Sequence, residues 1–348
     1  MVFHKENKKV NRFIITGVSA IIVIGLLSSL SYGQTKWAQT GFNFLSVSSD
    51  AKAGAIGDAV NSLSGYSGAL FHNPATMAEM PTMLNANFSI NSWIADIKYL
   101  QFSVMVSPSS GNYGTFGISV QSVDYGDVQG TMVWNNSQGF IDTEMMKPSA
   151  LAVGVGYAMM LSKQFGVGAQ VRFAYQSLGK SVVSVPGTGT YTTKQNVADA
   201  VAYDFGTIFK TGVKSLAFGM SIRNFSSDVA YEQEAFQLPL LFTIGISADL
   251  FDFVGSPGEN QSLMFFLDST HPRSHPEQIK IGAEYQFMKL IALRGGYISG
   301  NSEDGITYGM GVSSSGLGVS PVNFDVDYSY TPFGVFNNVH RISVSLSM

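Results

Sequence analysis

A two-residue rhythm that returns from Leu84 to the last residue constrains this chain more than any other feature. Leu84, Ala86, Phe88 and Ile90 alternate with Asn85, Asn87, Ser89 and Asn91. That period puts apolar side chains on one face of a strand and polar ones on the other. The rhythm then lengthens. Leu151, Val153, Val155, Tyr157, Met159 and Leu161 oppose Ala152, Gly154, Gly156 and Ala158. Phe165, Val167, Val171 and Phe173 oppose Gly166, Gly168, Gln170, Arg172 and Gln176. Soluble strands average about five or six residues. Runs twice that long, with little charge on their apolar side, suit tilted strands that cross a bilayer.

The rhythm places strands at 84–92, 95–107, 113–125, 148–162, 164–178, 200–210, 214–224, 239–250, 262–269, 277–288, 290–299, 305–313, 319–330 and 339–348. The fold class expected is therefore all-β: a transmembrane antiparallel β-barrel of about fourteen strands. An even count with both ends of the sheet on the periplasmic side fits a bacterial outer-membrane barrel, whose periplasmic turns are short and outer loops long. Connections 126–147, 179–199 and 225–238 are long, and those at Ser162-Lys163, Thr211–Val213 and Lys289 are short. Residues 251–261 are longer than a periplasmic turn should be. Ile342, Val344, Leu346 and Met348 alternate with polar residues, so the last strand is expected to close the sheet on the first and remove its edges. A large soluble sandwich alternates too, but its strands are shorter. In the barrel register Leu151, Val153, Val155, Val171 and Phe173 face lipid, and Gln170, Arg172 and Gln176 face the interior.

Composition agrees: 13% charged residues is about half the usual share. The N-terminus reads as a secretory signal peptide over residues 1–33. Lys5, Lys8, Lys9 and Arg12 precede an apolar run from Phe13 to Leu30 and then Ser31-Tyr32-Gly33. A retained anchor is the competing reading, since the run approaches spanning length. Removing residues 1–33 takes away those four basic residues and Glu6, so 20 basic and 24 acidic residues become 16 and 23, net −7. That sign disfavours a nucleic-acid partner. With no cysteine there is neither a disulfide framework nor a thiolate metal site. Residues 34–83, rich in Ala, Gly and Ser, lack sustained alternation and read as a short helical and looped segment before the barrel at 84–348.

Signals for catalysis, cofactors or metals are weak. GxSxG and HExxH motifs do not occur. Gly179-Lys180-Ser181 lacks the first glycine and the strand-to-helix context of a phosphate loop. His271 and His275 flank a proline that prevents the helical spacing of two ligands. Asp325 and Asp327 fall on the polar face of one strand with Asn323 and Ser329, where a hydrated lumen accounts for them. Trp37, Trp93, Trp134, Tyr99, Tyr297, Tyr328 and Tyr330 are candidates for interfacial girdles.

Phe44-Leu45, Ala51-Lys52-Ala53, Gly57-Asp58-Ala59, Ala69-Leu70-Phe71 and Asn73-Pro74-Ala75, with the closing stretch 327–346, resemble the PorV/PorQ family, whose barrels are related to the FadL fatty-acid transporter. Lys52 stands where that family usually has Arg, and Ile56 where it has Met. The resemblance implies an N-terminal hatch inside a fourteen-stranded barrel and a non-catalytic role in type IX protein secretion. Partners would be outer-membrane lipid or lipopolysaccharide and the translocon or secreted cargo, met through outer loops whose anchors would be Val133, Trp134, Phe140, Tyr191 and Tyr231. The alternative is a FadL-like channel for a small hydrophobic ligand. It predicts an apolar pocket beside the hatch and a break in the wall at a strand glycine or bulge.

Overall fold

The computed structural model describes residues 40–184, 190–255, 258, 260–300, 305–318, 321–336 and 338–348. The signal-peptide reading and Trp37 fall outside the described residues. The barrel strands are β1 (Leu84–Ser92), β2 (Lys98–Val106), β3 (Thr115–Asp124), β4 (Ser149–Met160), β5 (Phe165–Ser184), β6 (Tyr191–Lys210) and β7 (Ala217–Phe225). They continue as β8 (Leu241–Asp249), β9 (Gln261–Pro272), β10 (Gln278–Phe287), β11 (Ile291–Ser299), β12 (Ile306–Ser313), β13 (Asn323–Pro332) and β14 (Asn338–Ser347). These fourteen strands form one closed antiparallel barrel. β14 pairs with β1 from Asn85 opposite Ser347 to Ser92 opposite His340. Leu84 and Met348 then exchange both backbone bonds, at 2.9 and 3.0 Å, so no edge is left where the two ends of the sheet meet.

Alternation sorts the two faces. Val153, Val155, Val171 and Phe173 are exposed on the outside, as are Phe88, Ile118, Leu293 and Ile342 on other strands. Gln170, Arg172 and Gln176 are buried in the lumen. A closed wall with this apolar exterior is an integral barrel of the bacterial outer-membrane type.

Three long connections differ from their expected form. Residues 179–199 are mostly strand, because β5 and β6 each run for 20 residues. The segment 126–147 folds into a hairpin of Val128–Val133 with Phe140–Met146. The segment 225–238 holds a short pair, Val229–Ala230 with Ala235–Phe236. The extra length at 251–261 is a short helix, Leu250–Val254, capped by the Asp249 carboxylate on Phe251 N at 3.0 Å. It hides no further strand pair among the described residues.

Candidate functional site

The chain from Phe42 to Met80 lies largely within the lumen. It contains three 3₁₀ turns, Asn43–Ser46, Ser67–Phe71 and Pro74–Glu79, and one short helix, α1 (Ala51–Ala55). Local chemistry starts each element. Asp50 caps α1 through Lys52 N at 3.1 Å, and Asn73 caps its turn through Ala75 N at 3.1 Å with Pro74 in first position. Asn73 also ties the segment together, donating from Nδ2 to Asn61 O at 2.7 Å and to Thr207 O on β6 at 3.1 Å. Gly168 and Gly206 make this approach feasible: a Cβ at either would collide with Asn73, Pro74 or Ala75. Beneath them Leu70, Met77 and Met80 pack with Met105 and Ala158 in an apolar foot.

At the long-loop end the lumen divides. Towards β3–β7, Phe42, Phe44 and Leu45 sit among Tyr99, Val123, Leu238 and a row of alanines that includes Ala152, Ala174 and Ala200. The apolar pocket expected beside the segment is thus filled by the segment's own side chains. Gln121 Nε2 holds this turn at Phe44 O and Val47 O, at 3.0 and 3.2 Å, and Arg223 holds Leu45 O at 3.1 Å. Towards β8–β14 a cavity of about 450 Å³ stays open. Trp93, Phe333, Val60 and Ile298 form apolar parts of its lining, and Arg223, Lys280, Arg341, Asp58, Asp268 and His72 polar parts. Among the described residues every barrel strand pairs with both neighbours. The wall departs from regular register at two bulges, between Ser177 and Gly179 and between Tyr203 and Phe205. At the second, Asp204 turns inward to pair with Arg172 at 2.7 Å, beside Arg223 at the cavity's edge.

Charge in the lumen is compensated within it. Burial pushes the His72 imidazole down to about 3, assisted by the nearby Arg223 cation, so it stays neutral. Burial opposes the charge of Asp58, yet Arg341 and Lys280 outweigh it and hold that carboxyl below its ordinary value. Asp50 is pushed the other way by burial and by Asp327. At the short-turn end a second cavity of about 150 Å³ is lined by Lys52, Tyr66, Arg294, Asp325 and Asp327. Arg294 pairs with both Glu284 and Asp327, and Lys52 approaches Glu284 at 3.9 Å. Asp327 therefore serves an ion pair, while Asp325 is half-exposed at the cavity surface.

The remaining sequence candidates scatter. Val133 is 87% exposed, and Trp134, Phe140 and Tyr191 are exposed with it, the Trp134 and Tyr191 rings 5.8 Å apart. Tyr231 does not join them: its ring stacks on Phe236, and its hydroxyl donates to Gln176 at 2.9 Å. Trp93 and Tyr99 leave the expected girdle as well. They meet edge to face inside the mouth, with the Arg341 guanidinium 5.7 Å from the Trp93 ring. His271 lies 2.9 Å from Glu277, His275 beside Ser274, and Lys180 3.8 Å from Glu144. Sequence reading passed over Arg223, Lys280, Arg341, Asp50, Asp268 and His72. The four charged ones on strands, Arg223, Asp268, Lys280 and Arg341, carried a usable signal, since a charge on a strand otherwise so poor in charge marks an inward position.

No known protein family matches the sequence, and no curated protein does. Solved structures do. The toluene transporter TodX of Pseudomonas putida aligns over 90% of this chain and 99% of its own, with TM-score 0.56 and 12% identity. The toluene transporter TbuX of Ralstonia pickettii aligns over 84% and 97%, with TM-score 0.52 and 13% identity. At such identity the likeness is one of fold: a closed, fourteen-stranded outer-membrane barrel.

Proposed function

We propose that this barrel is a non-enzymatic outer-membrane channel that takes up small compounds with a hydrophobic body. The observation that carries this reading is the 450 Å³ cavity at the long-loop end, floored by the inner segment, which acts as a hatch. Its volume suits a small molecule. Trp93 and Phe333, whose rings lie 5.3 Å apart, offer an aromatic wall, and the bulge at Asp204 stands at its edge. The fold shared with two proteins described as toluene transporters supports the same substrate class. The test is titration of the purified barrel with a monoaromatic hydrocarbon, read by Trp fluorescence. Saturable quenching whose half-saturation concentration rises in Phe333→Ala, which keeps the Trp93 reporter, is expected. Quenching that persists unchanged in that variant places binding elsewhere and ends the proposal.

A second reading, contact with secretion translocon or cargo, is favoured by the exposed Val133, Trp134, Phe140 and Tyr191 above the membrane band. Recovery of the barrel from native membranes with large protein partners, lost in Trp134→Ala with Tyr191→Ala, is its expected result. Recovery of a lone barrel overturns it.

A further inference from the structure

The two cavities share the strands β10–β14, and along β11–β14 a single layer of inward-facing residues separates them. On β11 the outer cavity reaches Ile298 and the inner one Arg294; on β12, Thr307 and Gly311; on β13, Thr331 and Asp327; on β14, Arg341 and Ser345. One inward position remains between each pair: Gly296, Gly309, Ser329 and Ser343. Inward positions recur every second residue, so the partition is roughly 7 Å thick. What fills it is α1 and the turn after it. Ile56 and Gly57 press on Gly296, and Ala55 on Gly309. Ala51 N donates to Ser343 Oγ at 2.7 Å, and Thr307 Oγ1 donates to Ala55 O at 3.1 Å.

The partition's seat is polar. Behind α1 the wall offers glycine, serine, threonine and the Arg294 ion pairs. Water can satisfy all of these once α1 withdraws, so opening here exposes little apolar wall. The apolar neighbours of α1 travel with it: in the cluster around Ile56, every buried member except Phe266 belongs to the inner segment. The foot at Leu70, Met77 and Met80 is seated instead on apolar wall, and it stays. Below the partition the inner cavity is lined largely by charged and hydroxyl side chains, through which an apolar compound has no favourable path.

We infer that the lumen along β10–β14 is a second route, for small uncharged or zwitterionic hydrophilic solutes, gated by withdrawal of α1 from its seat between the two cavities. This function lies beyond the uptake of hydrophobic compounds and uses the inner cavity that such uptake leaves idle. Because the chain has no cysteine, one disulfide can lock the gate. Asp50 Oδ1 lies 3.2 Å and Ala51 N 2.7 Å from Ser343 Oγ, so Asp50→Cys with Ser343→Cys brings two thiols close across the joint between α1 and β14, and loss of free thiol on oxidation shows that the disulfide has formed. The measurement is liposome swelling with arabinose as probe. The reduced double variant is expected to admit arabinose, and oxidation to slow it at least about tenfold. A second variant, Glu284→Gln with Thr307→Val, removes the Lys52 and Ala55 contacts without a cross-link, and is expected to swell about tenfold faster than the native barrel. Both are checked for folding by resistance to detergent at room temperature. Equal swelling of the oxidised and reduced forms overturns the gate. So does a weakened-seat variant no faster than protein-free liposomes. Monoaromatic quenching of Trp93, measured on the oxidised protein, is expected to survive. Its loss in native protein would count against the hydrophobic uptake reading alone.

Discussion

At the scale of single residues, the inner segment is held by side chains whose roles are out of proportion to their size. Asn73 is the clearest case. It caps a turn, bonds back to Asn61 and reaches β6 at Thr207, while Gly206 leaves the room it needs. Asn73→Ala removes all three bonds and leaves the carbonyls of Asn61 and Thr207 without that donor. The expected effect is a loss of about 2 kcal/mol in the free energy that keeps the segment seated. Hydrogen exchange over residues 40–83 measures it. Asn73→Asp, which keeps the cap and loses the donors, should fall between. Protection unchanged in Asn73→Ala would show that the glycine-lined seat suffices by itself. In sequence the Asn-Pro-Ala tripeptide reads as the start of a turn, which it is. The partner glycines, about a hundred residues away or more, are illegible from one chain, because a lumen-facing glycine and a turn glycine look alike until the register is known.

At the scale of elements, legibility followed the solvent on each side of the strand. Inside the membrane band, lipid demands an apolar residue at every second position, and the strand positions there were readable. Beyond it, β5 and β6 continue as a ribbon with water on both faces, and the rhythm fades. The bulge between Ser177 and Gly179 also shifts its phase. Val171 and Phe173 point outward before it, Leu178 and Lys180 after it, so a continuous period could not be followed through. The inner segment is an element of another kind, bound largely by hydrogen bonds and charge, and its hold should depend on pH. His72 stays neutral down to about 3 when seated and returns to an ordinary value near 6.5 when released. The released state therefore takes up more protons between those values, and the seated state loses stability as pH falls through that window. Lowering pH from 7 to 5 should remove about 2 kcal/mol of His72's own contribution to seating. Asp58, held below its ordinary value, acts in the same sense at lower pH, while Asp50, raised, acts against it. Protease protection of residues 40–83 should fall at pH 5 in the native barrel, and less steeply in His72→Gln. A native profile that coincides with that of His72→Gln would falsify this account.

At the scale of the whole molecule, a closed sheet turns one alternating pattern into two solvents, lipid outside and a polar, partly filled lumen inside. Composition could announce the first, since low charge and long strands leave few other architectures. It could not announce that the lumen's apolar half is filled by Phe42, Phe44 and Leu45, because those residues precede the barrel and carry no period. Closure also makes the two faces of a strand unequal in a measurable way. Val153 on β4 is exposed to lipid, and its neighbour Gly154 faces the lumen, where an added Cβ would meet Arg172, Gln170 and Ser119. Val153→Arg puts a charge into hydrocarbon and should destabilise the folded barrel by about 2–4 kcal/mol if it lies near the midplane. Ser347→Arg on β14 places the same charge at a half-buried position that lines the inner cavity with Asp325 and Asp327, where both water and acid can reach it. Its cost should be under about 1 kcal/mol. Reversible unfolding in lipid vesicles, followed by tryptophan fluorescence, compares the two directly. Equal costs would mean that the apolar exterior does not face hydrocarbon. The reverse order would invert the barrel's faces, and with them both routes proposed through its lumen.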